Sequence, residues 1–196
     1  MGMEFTLALL RDSGAMLEGH FLLSSGRHSD KYFQCANLMK YPNLAKDALA
    51  GIAESIRKDI RANLLEADAV VGPAIGGIIV AYELGRQLGL PAFFTERDDA
   101  GAMVLRRGFE VKPEQKIIVV EDVVTTGKSS GECAALLESL GAEVTALACL
   151  VDRRQGCEVP WQFYPACKVE AKTWDADSCE LCRAGIPVVK PGSRKM

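Results

Sequence analysis

The 196-residue sequence predicts an α/β fold: a central parallel sheet flanked by helices, with a small N-terminal hood. Three observations predict it. Apolar runs without polar alternation recur at residues 68–71, 117–120 and 144–151, the pattern of strands buried on both faces. Two of these runs end in small-residue loops that open helical patterns, GPAIGG before IIVAYELGRQLG and DVVTTGKSS before ECAALLESLGA. Strand, loop and helix also alternate in order, which is the signature of parallel strands joined by crossovers.

Taken in order, residues 3–17 carry apolar positions at Phe5, Ala8, Leu9 and Met16, which predicts a short amphipathic helix. The stretch GHFLLSSGRHSDKYFQCANLM is rich in glycine, serine and Asp30, so it reads as a strand pair set on top of the core. Pro42 suits a first helical turn, and Ala45, Leu49, Ile52, Ile56 and Ile60 continue at helical spacing. The strand at 68–71 runs into Gly72, Pro73, Ala74, Ile75, Gly76 and Gly77. The next strand spans 91–95, and 96–113 mixes charge with glycine, as an excursion carrying a short hairpin does. Past Gly156 no regular pattern emerges. Residues 1–196 read as a single domain, its hood formed largely by 18–40 with the C-terminal segment.

Composition narrows the partners. Hydrophobic residues make up 48% and charged residues 25%, ordinary for a globular protein, and no apolar run reaches the length of a membrane span. A formal net charge of −3 disfavours nucleic acid as the main ligand. The N-terminus has an early acid and no basic stretch, so a signal peptide is not expected. Seven cysteines, an odd number, fit a reducing cytoplasm better than a disulfide framework.

The chemistry concentrates in KIIVVEDVVTTGKSSG, residues 116–131. Glu121 and Asp122 stand at the C-terminal end of a buried strand, where ligands bind in open α/β sheets. Free N–H groups at the following helix start, with threonine and serine hydroxyls, suit a phosphate. The two acids would repel that phosphate, so they suit ribose hydroxyls or a metal. GKS does not complete a Walker A motif, because Asp122 stands where that motif needs glycine, and there is no G-x-G-x-x-G.

This stretch resembles the phosphoribosyl-pyrophosphate (PRPP) motif of type I phosphoribosyltransferases, and the whole chain resembles the orotate phosphoribosyltransferase family. GHFLLSSGRHSDKYF is similar to that family's hood, GPAIGG to its pyrophosphate loop, VVEDVVTTGKS to its PRPP motif and VDRRQG to its D-R-Q segment. CELCRAGIPVVKPGSR is similar to the tail of a shorter, mainly prokaryotic branch. The resemblance implies the type I phosphoribosyltransferase fold and transfer of ribose 5-phosphate from PRPP to orotate, giving orotidine 5′-phosphate and pyrophosphate in pyrimidine synthesis. It implies that Glu121 and Asp122 hold the ribose hydroxyls, and that Val123, Val124, Thr125, Thr126, Gly127, Lys128 and Ser129 wrap the 5′-phosphate. Gly72, Pro73, Ala74, Gly76 and Gly77 would contact pyrophosphate. Arg97 would act at the mobile loop with Arg106 and Arg107 behind it. Thr125 and Arg153 would hold orotate, an arginine fork being apt for a planar carboxylate. Mg²⁺ would ride on PRPP with no direct protein ligand, and the enzyme would be a cytoplasmic homodimer without nucleic-acid or membrane partners.

The chain departs from the better-known branch at three places. Ser24 and Gly76 stand where that branch has lysine, and Arg97 is followed by Asp98 and Asp99 in a loop without histidine. Arg106, Arg107 or Lys31 are the candidate substitutes. His20 and His28 read as turn or surface positions. Cys179-x-x-Cys182, with Cys157 and Cys167 upstream, has one half of a zinc-site spacing, but free thiols or a local redox pair are the simpler expectation. Two competing readings keep the PRPP half: transfer to a purine or other base, and a PRPP-sensing regulator of the same fold.

Overall fold

A computed structural model describes residues 2–23 and 25–191; Ser24, one of the three departures, lies outside the described residues. The chain begins with helix α1 (Met3–Asp12), then strands β1 (Met16–Leu22) and β2 (His28–Phe33), which pair antiparallel as the expected hairpin. Helices α2 (Ala36–Met39) and α3 (Pro42–Arg61) follow, and Pro42 opens α3 as its spacing predicts. Then come β3 (Ala69–Pro73), α4 (Gly76–Leu88), β4 (Ala92–Arg97), β5 (Met103–Val104), β6 (Lys116–Val124), α5 (Lys128–Ser139) and β7 (Glu143–Asp152). The unpatterned tail folds as β8 (Gln162–Lys168), β9 (Thr173–Trp174), a single 3-10 turn and the short α6 (Glu180–Arg183).

Six strands make one sheet in the order β5-β4-β3-β6-β7-β8. All neighbours are parallel except β5, which returns antiparallel along β4. The continuous apolar run of β6 follows from this. Ile117 and Val119 face a core layer with Val71, Cys133, Leu137 and Leu147, under α5. Ile118 and Val120 face the other layer, where Leu10, Leu49, Ile52, Ile56, Val80 and Leu84 come from α1, α3 and α4. A strand covered on both faces has no reason to alternate.

From β3 the chain steps to β4 on one side, while β6 lies on the other side of β3. The order therefore reverses between β3 and β6, and a crevice opens beyond their C-terminal ends. Gly72 and Gly77 set the tightness of the turn there. A Cβ on Gly72 would lie 2.3 Å from the Gly77 carbonyl oxygen, far inside contact distance. Gly72→Ala should accordingly destabilise the protein by about 2 kcal/mol or more, the scale of overpacked cores, read as a lower urea midpoint. An unchanged midpoint would mean that the turn is looser than described.

The hood is a second sheet, β1-β2-β9, antiparallel throughout. Its third strand comes from the tail: Ser29 pairs with Thr173 and His28 with Trp174. The tail returns once more at Val189, whose N–H donates to the His20 carbonyl at 2.8 Å and whose carbonyl accepts from Leu22 at 2.9 Å. The hood therefore joins the 18–40 region to the C-terminal segment.

Candidate active site

Parallel pairing of β3, β6 and β7 brings three loops to one edge. Glu121 is almost fully buried, and burial first, then the charge of Asp122, pushes its carboxyl up to about 8. Burial also raises Asp122, while the Val123 N–H donating to Asp122 Oδ1 at 2.8 Å opposes the shift. Glu121 in the free protein thus holds a proton near neutral pH. Its folded value lies above its unfolded one, so its contribution to stability is present below the ordinary glutamate range and is lost as pH rises through about 8. Glu121→Gln removes that loss. Between pH 5 and pH 9 the ligand-free wild type should fall in urea stability relative to the variant by on the order of a few kcal/mol. Parallel pH profiles would show that Glu121 titrates normally.

The loop of residues 72–77 meets these acids directly. A Cβ on Gly76 would sit 2.5 Å from the Asp122 carboxylate, and swinging that carboxylate away would break its bond to Val123. The lysine found at this position elsewhere does not fit here with Asp122 as it stands. Within the loop, Ala74, Ile75 and Gly76 face outward, whereas Gly72, Pro73 and Gly77 are buried beneath them. The part open to a ligand is thus narrower than the run of glycines suggests.

Gly127, with φ of 73°, turns the chain into α5, and no side chain caps that helix start. Thr125, Thr126 and Lys128 are exposed around it, and Gly127 and Ser129 are half-buried. The Lys128 N–H faces the Thr126 hydroxyl at 3.4 Å, and the N–H groups of Ser129 and Ser130 are available to an anion. Val123 is half-buried and Val124 buried, as the last residues of β6.

Register places Thr125 and Arg153. Val124 pairs with Asp152, and the Arg153 N–H donates to the Val124 carbonyl at 2.8 Å, so Thr125 and Arg153 follow side by side. The two adjacent arginines differ sharply. Arg154 is locked: Nε and Nη2 grip the buried Asp152 carboxylate at 2.9 and 3.2 Å, and the guanidinium lies over Phe163. Arg153 stacks 5.3 Å from the Phe33 ring centroid and reaches Ser29 Oγ at 3.4 Å, but its buried Nε has no partner. Burial lowers its pKa, with Asp30 pulling the other way. A cavity of about 480 Å³ opens beside it, lined by Asp30, Lys31, Arg153, Lys168 and Lys172 among others. A larger hollow, about 730 Å³, lies at the opposite strand ends by Asp68, Lys116 and Glu143, away from every loop described above.

The excursion after β4 is a hairpin organised by Asp98, whose Oδ1 accepts from the N–H groups of Ala100 and Ala102 at 3.0 and 2.9 Å. That is the local use of an acid after Arg97. Arg97 pairs with Glu132 on α5 and donates to the Gly101 carbonyl, and its charge still reaches Glu121, where it opposes the upward shift. Arg107 bonds Glu96 at 2.9 Å and lies over Phe94, and Arg106 is exposed. Lys31 pairs with Asp30 at the edge of the cavity beside Arg153.

The histidines contradict their expected surface position. His20 and His28 are 3% and 7% exposed, because the hairpin face that carries them is covered by the tail. Cys157 and Cys167 do not approach Cys179 and Cys182 as ligands: Cys157 Sγ lies 3.2 Å from the Thr126 carbonyl, and Cys167 is buried against the Leu150 carbonyl. Sequence reasoning missed Phe33 and Ser29 as neighbours of Arg153; the aromatic after the hood serines was the available signal.

Comparison with known proteins agrees with this geometry. Residues 40–177 match the family model of the phosphoribosyl transferase domain. The chain is 53% identical over 188 residues to a protein of Carboxydothermus hydrogenoformans named orotate phosphoribosyltransferase, covering 95% of this chain and 96% of that one. The crystal structure of orotate phosphoribosyltransferase from Aeropyrum pernix superposes with a TM-score of 0.64 at 26% identity, covering 83% of this chain and 92% of the other. The Mycobacterium tuberculosis H37Rv orotate phosphoribosyltransferase solved with inorganic phosphate shares the fold, with a TM-score of 0.62 at 24% identity over 85% of this chain and 94% of that one. With its crevice at the strand-order reversal, its paired acids and its uncapped helix start, the chain belongs to the phosphoribosyl transferase family, among the orotate phosphoribosyltransferases.

Proposed function

We propose that the protein transfers ribose 5-phosphate from PRPP to orotate, releasing pyrophosphate and forming orotidine 5′-phosphate. The observation that carries the choice of base is Arg153. Arg153 is half-buried, its guanidinium lies over the Phe33 ring, next to Thr125, and its Nε lacks a partner. Leaving a buried donor unpaired costs about 1–3 kcal/mol, which a carboxylate-bearing base would recover.

In this reading Glu121 and Asp122 take the ribose hydroxyls, and the residues from Val123 to Ser129 take the 5′-phosphate. The outward part of the loop, Ala74 to Gly76, faces the pyrophosphate. The C1–oxygen bond to pyrophosphate breaks as the C1–nitrogen bond to orotate forms, so positive charge grows on the sugar ring. The Asp122 carboxylate beneath the ring stabilises that charge, and holding both substrates at adjacent loops supplies the approach. Arg97, Arg106 and Arg107 sit on the hairpin that would close over the leaving group; Arg97 must exchange Glu132 for it. Mg²⁺ suits the site, since phosphate and carboxylate oxygens are its preferred donors, and it would neutralise the pyrophosphate. PRPP would carry it, and Asp122 offers the carboxylate nearest the pyrophosphate loop.

A homodimer is part of the reading. Ile75, Ile79 and Tyr82 expose a large apolar face of α4 beside the pyrophosphate loop, which a second copy would cover. A cytoplasmic location agrees with seven free thiols, and no helix among the described residues is long and apolar enough to cross a membrane.

Assays with PRPP and orotate, uracil, hypoxanthine or adenine test the reading. Turnover of orotate alone is expected. Turnover of a purine with orotate inert would overturn the choice of base and leave the PRPP half standing.

A further inference from the structure

We propose that His20, His28, Cys179 and Cys182 form a structural zinc site that staples the hood to the C-terminal segment. One ligand atom from each residue lies within 4.8 Å of all the others. His20 Nε2 is 3.4 Å from Cys179 Sγ and 3.7 Å from Cys182 Sγ, and His28 Nδ1 is 3.4 Å from Cys182 Sγ. Zinc bonds of about 2.0–2.1 Å to nitrogen and about 2.3 Å to sulfur give nitrogen–sulfur edges of roughly 3.6 Å in a tetrahedron. The measured edges bracket that value. The ring-to-ring edge, 2.8 Å, is the short one, and an ion between the rings would open it by about half an ångström.

Hydrogen bonding alone does not account for the cluster. His20 Nδ1 is 2.7 Å from the Ile186 carbonyl oxygen, to which it must donate, so Nε2 carries the bare lone pair. That one lone pair faces His28 Nδ1 and both thiols. Only one of the three can donate to it along the lone-pair direction, whereas one cation accepts all four ligand lone pairs at once. The Ile186 carbonyl is also the outer partner that orients a metal-bound imidazole. Two thiolates and two neutral imidazoles cancel the charge of Zn²⁺, which suits a site where three of the four residues are buried. The exposed Cys182 provides the entry path.

The ligands come from distant parts of the chain. The histidines lie on β1 and β2, and the cysteines cap and enter α6. Cys179-x-x-Cys182 supplies only half of a zinc knuckle locally, and the fold supplies the other half.

The test is metal analysis of the full-length protein purified under reducing conditions, with Co²⁺ exchange of the same sample. About one zinc per chain is expected, falling below about 0.2 in Cys182→Ser and unchanged in Cys157→Ser. Co²⁺ should give the intense visible bands of a tetrahedral site together with a thiolate charge-transfer band, in the wild-type fold and independently of catalysis. Chelation should lower the melting temperature of the wild type and leave Cys182→Ser unaffected. Protein free of zinc with both thiols reduced, or protein freshly isolated with a Cys179–Cys182 disulfide, would overturn the proposal. So would Co²⁺ binding without a thiolate band.

Discussion

Asp122→Asn should cut kcat/KM for PRPP by about 10²–10³-fold while leaving the urea midpoint nearly unchanged. A hydrogen bond to a charged group contributes about 1.5–3 kcal/mol, and the same carboxylate faces the charge that grows on the sugar ring. Together these amount to a loss on the order of 3–4 kcal/mol in the transition state. The fold survives because an asparagine oxygen can still accept the Val123 N–H that Asp122 accepts now. The variant also removes the neighbouring negative charge that helps to raise Glu121, so the Glu121 pKa should fall in the same protein. A variant with normal PRPP kinetics would place the sugar elsewhere.

Arg153→Ala should raise the KM for orotate by about 10²-fold and change the KM for PRPP by less than about threefold, the loss expected when one charged, forked contact disappears. Arg153→Lys should recover little, because an ammonium cannot span a carboxylate as the fork does. Arg154→Ala makes the contrast. It breaks the grip on the buried Asp152 and should appear mainly as lost stability. Equal effects of Arg153→Ala on both substrates would contradict the division of labour along the sheet edge.

Much of the architecture was legible in the chain itself. The run 117–120 could be read as a strand covered on both sides, and α3 from Pro42 and its apolar spacing, because each signal is local and periodic. The acids and the uncapped helix start were legible for the same reason: strand end, loop and helix are consecutive. What depends on distant partners was not. Local pattern does not separate Arg153 from Arg154, and the choice of Arg153 rests on the family resemblance; the pairing of β6 with β7 and the aromatic beneath each give it a physical ground. Gly76 reads as flexibility for an anion, but its space is taken by Asp122. His20 and His28 look like turn residues because the segment that buries them lies some 160 positions downstream.

The pairing of β2 with β9, and of Phe21 with Val189, has a consequence during synthesis. Every strand of the large sheet precedes Thr173 in the chain, whereas the strand that closes the hood, β9, comes after all of them. The cover over Arg153 is therefore the last sheet that can be completed as the chain is made.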